Sequence, residues 1–296
     1  MSKTVYMLGY ASDIAAAHQG TGDGPSVLQQ SPYMKSLVDI GLNIQWQALL
    51  KPASQPSFSK NKIIAELNQE LAAHTHRLVA DKKFFTVVGG DHSSAIGTWS
   101  GVAKATQSQG EIGLIWIDAH MDSHTPETSP SGNIHGMPLA CLLGYGEESL
   151  THILTSSPKF KPENICMIGI RSYEPGEAEL LKRLNVRIFF MEEVDRRGLD
   201  AVMADALEIA TRNTIGFGVT IDIDGIDPQD APGTGVAEEN GIRAKALCAA
   251  LKPISQQPSL LGIEIVEFDP HRDKNHLTEK LVPQLMAALT LGKEIA

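Results

Sequence analysis

Short apolar runs alternate along this chain with stretches of helical periodicity, and that alternation restricts the folds open to it. Seven runs are nearly unbroken: residues 4–8, 84–88, 113–117, 165–169, 186–190, 216–221 and 262–266. Unbroken apolar strands are typical of parallel sheets, because helices cover both faces of such a sheet. Amphipathic patterns lie between the runs, as at residues 61–80, where Ile64, Leu67 and Leu71 share one stripe. We therefore predict a three-layer α/β/α fold with a mostly parallel central sheet, formed as one domain over residues 1–296.

The composition is that of a folded protein and argues against several kinds of partner. Hydrophobic residues make up 42% of the chain, and the formal charge is −10, from 25 basic and 35 acidic residues. The basic side chains form no stripe, so we expect no nucleic-acid partner. No stretch approaches the ~20 apolar residues of a membrane helix, and Cys141, Cys166 and Cys248 lack metal-ligand spacing. We therefore expect buried free thiols, no membrane contact and a cytoplasmic location.

Four of the apolar runs end abruptly in acidic residues or histidines. The residues that follow them are Asp91 and His92, then Asp118, His120 and Asp122, then Asp222 and Asp224, and finally Glu267. In an open parallel sheet, ligands bind beyond the carboxyl ends of the strands. The four groups are therefore expected to converge at one edge of the sheet.

The spacing within these groups indicates a metal centre. In extended backbone every second side chain points the same way, so Asp118, His120 and Asp122 would share a face. The same alternation would pair Asp222 with Asp224. Crowded, buried carboxylates repel one another unless cations lie among them, and two divalent ions would balance four carboxylates. Imidazole and carboxylate without thiolate favour Mn²⁺ or a related metal, although each acid taken singly could be a cap or a surface residue.

Three segments resemble the signature segments of the ureohydrolases: GGDHS at 89–93, DAHMD at 118–122 and DIDGIDP at 222–228. SGNIHG at 131–136 is similar to the arginase branch in particular. The resemblance implies two Mn²⁺ ions per chain, with Asp118 and Asp222 shared between them. It assigns the first ion to His92, Asp118, Asp122 and Asp222, and the second to Asp118, His120, Asp222 and Asp224. It also implies a homo-trimer or homo-hexamer.

The implied reaction is hydrolysis of a guanidino group with release of urea. A divalent ion lowers the pKa of bound water and so supplies a nucleophile near neutral pH. Asp122 would carry a proton from the nucleophile towards the leaving amine, and His135 matches the proton-shuttle position of the family. Glu267 would hold the guanidinium by paired hydrogen bonds. Glu264, three residues earlier in the strand, is expected to point to the opposite face, and Trp116 is expected only to pack in the core.

The substrate is expected to be L-arginine. By resemblance, Ser131 and Asn133 would bind its α-carboxylate and Glu174 its α-ammonium group. The chain departs from the family at three positions: His124 replaces the usual asparagine but can still donate to the substrate carboxylate, Glu174 replaces the usual aspartate, and Val236 a common threonine.

Other substrates and other functions stay open at this point. Guanidinobutyrate is the alternative substrate, and agmatine is less favoured because it has no carboxylate for Ser131 and Asn133 to bind. A non-catalytic metal-binding protein on the same fold would be expected to lack a ligand or His135. A single-zinc deacetylase-like hydrolase would not need the paired ligand sets.

Overall fold

The computed structural model describes residues 3–53 and 58–295, and within them eight strands form one sheet. The strands are β1 (Lys3–Tyr10), β2 (Leu42–Leu50), β3 (Phe85–Gly89), β4 (Ile112–Ile117), β5 (Ile165–Ile170), β6 (Arg187–Phe190), β7 (Gly216–Asp222) and β8 (Leu260–Val266). Their order across the sheet is β2-β1-β3-β8-β7-β4-β5-β6, and every neighbouring pair is parallel. The predicted fold class is confirmed.

Helices cover the sheet on both faces. They are α1 (Gly24–Gln30), α2 (Lys35–Asp39), α3 (Lys60–Ala80), α4 (Ser94–Thr106), α5 (Pro138–Leu142), α6 (Glu148–Thr151), α7 (Pro175–Leu184), α8 (Met191–Arg197), α9 (Leu199–Thr211), α10 (Ala244–Leu251) and α11 (Leu277–Leu291). Alternate residues of β4 show the two layers. Ile115 and Ile117 pack with α9, α10 and α11, whereas Leu114 and Trp116 pack with α3 and α4. Both cores are therefore built from the unbroken apolar runs.

Local sequence signals set the ends of the predicted helices. The Ser59 side chain accepts a hydrogen bond from Lys62 N and so caps α3. Pro175 opens α7, where Glu174 and Glu177 form a capping box, and Asn185 ends the helix in the left-handed conformation. Both helices begin within a residue of where the sequence pattern places them.

Strand β2, which forms one edge of the sheet beside β1, was not predicted from the sequence. In residues 42–50, polar Asn43, Gln45 and Gln47 alternate with apolar residues, and these polar side chains are exposed. This period-two pattern is typical of a strand that is covered on one face only. A search for unbroken apolar runs overlooks it.

The three cysteines are free and buried, as expected. Within the described ranges, no helix has the length and apolar character that crossing a membrane would require.

The direction in which the chain crosses the sheet changes at the four central strands. The chain passes from β3 to β4, but β8 and β7 lie between them. Such a reversal opens a crevice at the carboxyl ends of the strands, where open parallel sheets bind ligands. The four polar groups predicted to converge follow β3, β4, β7 and β8.

Candidate metal centre and active-site pocket

The backbone turns directly after β4 and β7, so the expectation of extended backbone was wrong at Asp122 and Asp224. Strand β4 ends at Ile117, and Asp122 has a φ of 49°, in the left-handed region. Asp222 is the last residue of β7, and a 3₁₀ turn over Ile223–Gly225 carries Asp224. The Asp222 side chain caps this turn by accepting from Asp224 N at 2.9 Å. The carboxylates converge because the backbone turns.

His92 lies at the base of the first group of candidate ligands. Its Nδ1 faces three carboxylate oxygens: Oδ2 of Asp118 at 3.2 Å, of Asp122 at 3.1 Å and of Asp222 at 3.1 Å. Its Nε2 lies 3.1 Å from the Thr220 hydroxyl. Within the described part of the chain, the buried Nδ1 has no hydrogen-bond partner. A buried nitrogen left without a donor or acceptor costs stability, and a cation among these four atoms would satisfy it.

A second group adjoins the first through Asp118. The Nδ1 of His120 lies 3.0 Å from Asp224 Oδ2 and 3.7 Å from Asp118 Oδ1. The two oxygens of Asp118 thus face different histidines, as expected of a carboxylate shared by two ions. His92, Asp118 and Asp222 have the geometry of one metal-binding group, and Asp118, His120 and Asp224 that of another.

The carboxylates of this cluster crowd negative charge in a buried place. Burial raises the pKa of Asp122, Asp222 and Asp224, and neighbouring carboxylates raise it further. Burial acts in the same direction on Asp118, but the neighbouring His120 and His92 imidazoles bring its pKa below the usual range. The atoms available to bind a cation are carboxylate oxygens and imidazole nitrogens, and they lie where burial makes negative charge unfavourable. The residues therefore fit a pair of divalent cations.

Two buried residues that were not predicted to act at the site support its ligands. Trp116 was expected only to pack in the core, but its indole Nε1 donates to Asp118 Oδ2 at 2.8 Å, and its ring stacks on His92 at 4.3 Å. Glu264 does not line the pocket, in line with its expected opposite face. It instead accepts from Thr220 Oγ1 at 3.0 Å, and Thr220 in turn contacts His92. A strong hydrophobic run conceals such polar contacts in the sequence.

Glu264 is also the acceptor for a group of donors from α4. Its oxygens accept from Ser94 Oγ at 2.9 Å, Thr98 Oγ1 at 2.7 Å and Trp99 Nε1 at 3.1 Å. The carboxyl group is fully buried, and burial raises its pKa. This network joins α4, β7 and β8 beneath the candidate ligands.

His135 and Glu267 form a pair at the wall of the pocket. Glu267 follows β8 with a φ of 62°, and its Oε1 accepts from His92 N at 3.0 Å. The same oxygen lies 3.3 Å from His135 Nδ1. Burial lowers the pKa of His135, but the hydrogen bond and charge of Glu267 raise it to about 9. At neutral pH the imidazole can therefore donate a proton.

A cavity of about 290 Å³ opens above the ligand cluster. The residues predicted from the sequence that line it are His120, Asp122, His124, Ser131, Asn133, His135, Glu174, Asp222, Asp224, Val236 and Glu267. His92 and Asp118 lie beneath them and are buried. The metal candidates and the substrate-binding candidates thus meet in one pocket.

The candidate substrate-binding residues contact one another across the mouth of the pocket. His124 Nε2 lies 2.8 Å from Glu174 Oε2, and its Nδ1 lies 3.1 Å from Thr128 Oγ1. The hydrogen bond with His124 lowers the pKa of Glu174. Ser131 Oγ accepts from Asn133 N at 3.2 Å. In this arrangement His124 and Glu174 serve as each other's hydrogen-bond partners.

Glu177 also lines this end of the pocket, and the exposed Thr128 contacts His124 there; neither was predicted. Glu177 lines the cavity and is buried, and burial raises its pKa to about 8. Its Oε1 accepts from Glu174 N at 2.8 Å, which completes the capping box. The capping pattern at the start of α7 was the available signal, but it indicates a helix end rather than a pocket wall.

Comparisons with known proteins agree with this geometry. A family model described as the arginase family matches residues 3–292. The arginase of Brevibacillus brevis is 36% identical over 295 residues, covering 98% of each chain, and that of Bacillus subtilis is 36% identical over 301 residues, covering 100% of each. The crystal structure of the Bacillus subtilis arginase has a TM-score of 0.90 at 35% identity, covering 99% of this chain and 100% of its own. That of the Bacillus caldovelox arginase has a TM-score of 0.92 at 34% identity, covering 100% of each chain.

Proposed function

The chain belongs to the arginase family, whose members are hydrolases, and we propose that it uses two Mn²⁺ ions to hydrolyse L-arginine to ornithine and urea. The observation that carries the proposal is the buried Nδ1 of His92, which faces three carboxylate oxygens and has no hydrogen-bond partner among the described residues, with a second histidine–carboxylate group sharing Asp118. This arrangement supports a pair of cations rather than a single ion. It argues against the single-zinc alternative.

Both ions would be held by residues at the strand ends. His92, Asp118, Asp122 and Asp222 would hold the first, and Asp118, His120, Asp222 and Asp224 the second. Imidazole and carboxylate donors without thiolate favour Mn²⁺. When bound, the pair of ions supplies a nucleophilic water near neutral pH.

The protein side chains would orient the substrate and move the proton. Glu267 would accept hydrogen bonds from the guanidinium group and place its carbon above the ligand cluster. Asp122 would take a proton from the attacking water. The amine must leave protonated, and His135, held in its protonated form by Glu267, is placed to supply that proton.

The far end of the pocket would recognise the amino-acid part of the substrate. Ser131 and Asn133 would bind the α-carboxylate, and Glu174 the α-ammonium group. His124 would contribute a further donor to the carboxylate when it leaves Glu174. The His124–Glu174 contact of 2.8 Å favours guanidinobutyrate as a second candidate, because that acid has no α-ammonium group to compete for Glu174.

Urea release by manganese-loaded protein tests the proposal, with arginine, guanidinobutyrate and agmatine compared side by side. We expect kcat/KM for arginine to lead by at least about tenfold, which corresponds to about 1.4 kcal/mol of transition-state discrimination. Equal turnover of guanidinobutyrate would refute arginine as the substrate while keeping the reaction type. No urea from any of the three, with two ions bound, would support the non-catalytic alternative.

Three further expectations accompany the proposal: one catalytic domain over residues 1–296, a cytoplasmic location, and a homo-trimer or homo-hexamer. The family match over residues 3–292 supports the first. Light scattering of the purified protein tests the third.

A further inference from the structure

His120 directs one ring nitrogen at the carboxylates and the other away from them. Its Nδ1 faces Asp224 and Asp118, while its Nε2 lies 3.6 Å from Glu238 Oε1. The His120 side chain is 25% exposed, whereas that of His92 is 1% exposed. Packing therefore fixes the His120 ring less firmly, and what faces its Nε2 matters for its orientation.

Glu238 is held in place from two directions. Its backbone carbonyl accepts from Arg171 Nη2 at 2.8 Å, and its Oε1 accepts from Ser172 Oγ at 3.1 Å. The same Arg171 nitrogen donates to the carbonyl of Asp224 at 2.6 Å. Glu238 is thereby tied to the loop that carries one of the candidate ligands, so its carboxylate is not a freely moving surface group.

We propose that Glu238 is a positioning residue for the metal centre, which accepts the Nε2 proton of His120 and so presents the Nδ1 lone pair to the second ion. The proposal rests on the proposed two-ion function. A neutral imidazole carries one N–H, and a carboxylate beside Nε2 favours the form with the proton there. A movement of a few tenths of an ångström would bring the 3.6 Å separation within hydrogen-bond distance.

The effect should appear in metal affinity rather than in the fold. Loss of a partner that orients a metal-binding histidine typically weakens metal binding by about 10- to 100-fold. We expect E238A to raise one of the two Mn²⁺ dissociation constants by at least about tenfold, as measured by calorimetry on protein stripped of metal. E238Q should fall between E238A and the wild type, because an amide oxygen accepts the same proton without the charge.

Two controls separate positioning from a general loss of negative charge. Glu239 is the next residue, is exposed, and contacts Arg171 through its backbone carbonyl, which substitution leaves in place. E239A removes the same charge and should leave both dissociation constants within about twofold of the wild type. In an H120N background, E238A should have no further effect, since the residue through which Glu238 acts is gone.

The outcomes distinguish this inference from the proposed function. Wild type that never binds more than one Mn²⁺ would overturn both. Wild type that binds two ions, with E238A binding them equally well, would overturn the role of Glu238 alone. An E238A effect that equals that of E239A, or that persists in full without His120, would show a charge effect and would also overturn it.

Discussion

Replacing Glu267 with glutamine tests whether its charge serves catalysis. Its Oε1 already accepts from His92 N and contacts His135, which leaves Oε2 for the substrate guanidinium. A hydrogen bond to a charged group contributes about 1.5–3 kcal/mol and a neutral one about 0.5–1.5. Loss of this difference and of part of the attraction between the charges would reduce transition-state stabilisation by about 2–3 kcal/mol. We expect E267Q to lower kcat/KM for arginine by about 30- to 150-fold.

The same substitution should shift the pH profile. The charge of Glu267 raises the pKa of His135 to about 9, so the protonated imidazole persists up to that pH and is lost above it. Without the charge the pKa falls towards 6.5, and the proton is lost at lower pH. Since the leaving amine needs a proton, the alkaline limb of the kcat profile should move to lower pH in E267Q.

Urea release measured from pH 6 to 10 would show both effects. E239Q removes a charge at an exposed position of the chain and serves as the control. The amide oxygen introduced by E267Q can still accept from His92 N, so the melting temperature should change little. A kcat/KM within about threefold of the wild type, with an unmoved alkaline limb, would refute the role given to Glu267.

Four other predictions concern the ligand cluster and its support. W116F keeps the aromatic ring but removes the 2.8 Å bond to Asp118, and equilibrium dialysis should show about tenfold weaker Mn²⁺ binding. E264A leaves Trp99 Nε1 and other buried donors unpaired, and urea denaturation should show a loss of about 3–5 kcal/mol. D122N should nearly abolish urea release. It should also stabilise the metal-free protein at neutral pH, because a raised Asp122 pKa means that ionisation disfavours the folded state there. Removal of the ions by a chelator should lower the melting temperature of the wild type, since a free ion concentration of about 100 times Kd stabilises the fold by about 2.7 kcal/mol per site.

The fold was predictable because burial on both faces requires unbroken apolar strands. Edge strand β2 was not predicted because one of its faces meets solvent, so polar and apolar residues alternate in its sequence. Strand ends also located the ligand candidates, because the carboxyl ends of parallel strands share an edge. The shared edge follows from the strand topology, whatever backbone conformation follows each strand.

Polar contacts beneath the site were not predictable from the pattern. The alternation of β8 indicates that Glu264 faces away from Glu267, but not that α4 brings three donors to it. Similarly, Trp116 reads as one apolar residue in a run, and the direction of its N–H depends on the turn that places Asp118. The Glu264 contacts join residues far apart in the sequence, and the Trp116 contact depends on how the backbone turns after the strand, so no local period contains either.

Two of the candidate site residues have strained backbone conformations. Asp122 and Glu267 both have positive φ values, which cost a residue with a Cβ about 1–2 kcal/mol each. The strain is held by backbone bonds, from Leu139 N to Asp122 O at 2.9 Å and from Glu267 N to Gly90 O at 2.7 Å. Glycine would relieve the strain but would remove the carboxylate. Both positions nevertheless carry an acid, so the carboxylate matters more than the backbone cost at each. In the proposed mechanism Asp122 takes the proton and Glu267 binds the guanidinium.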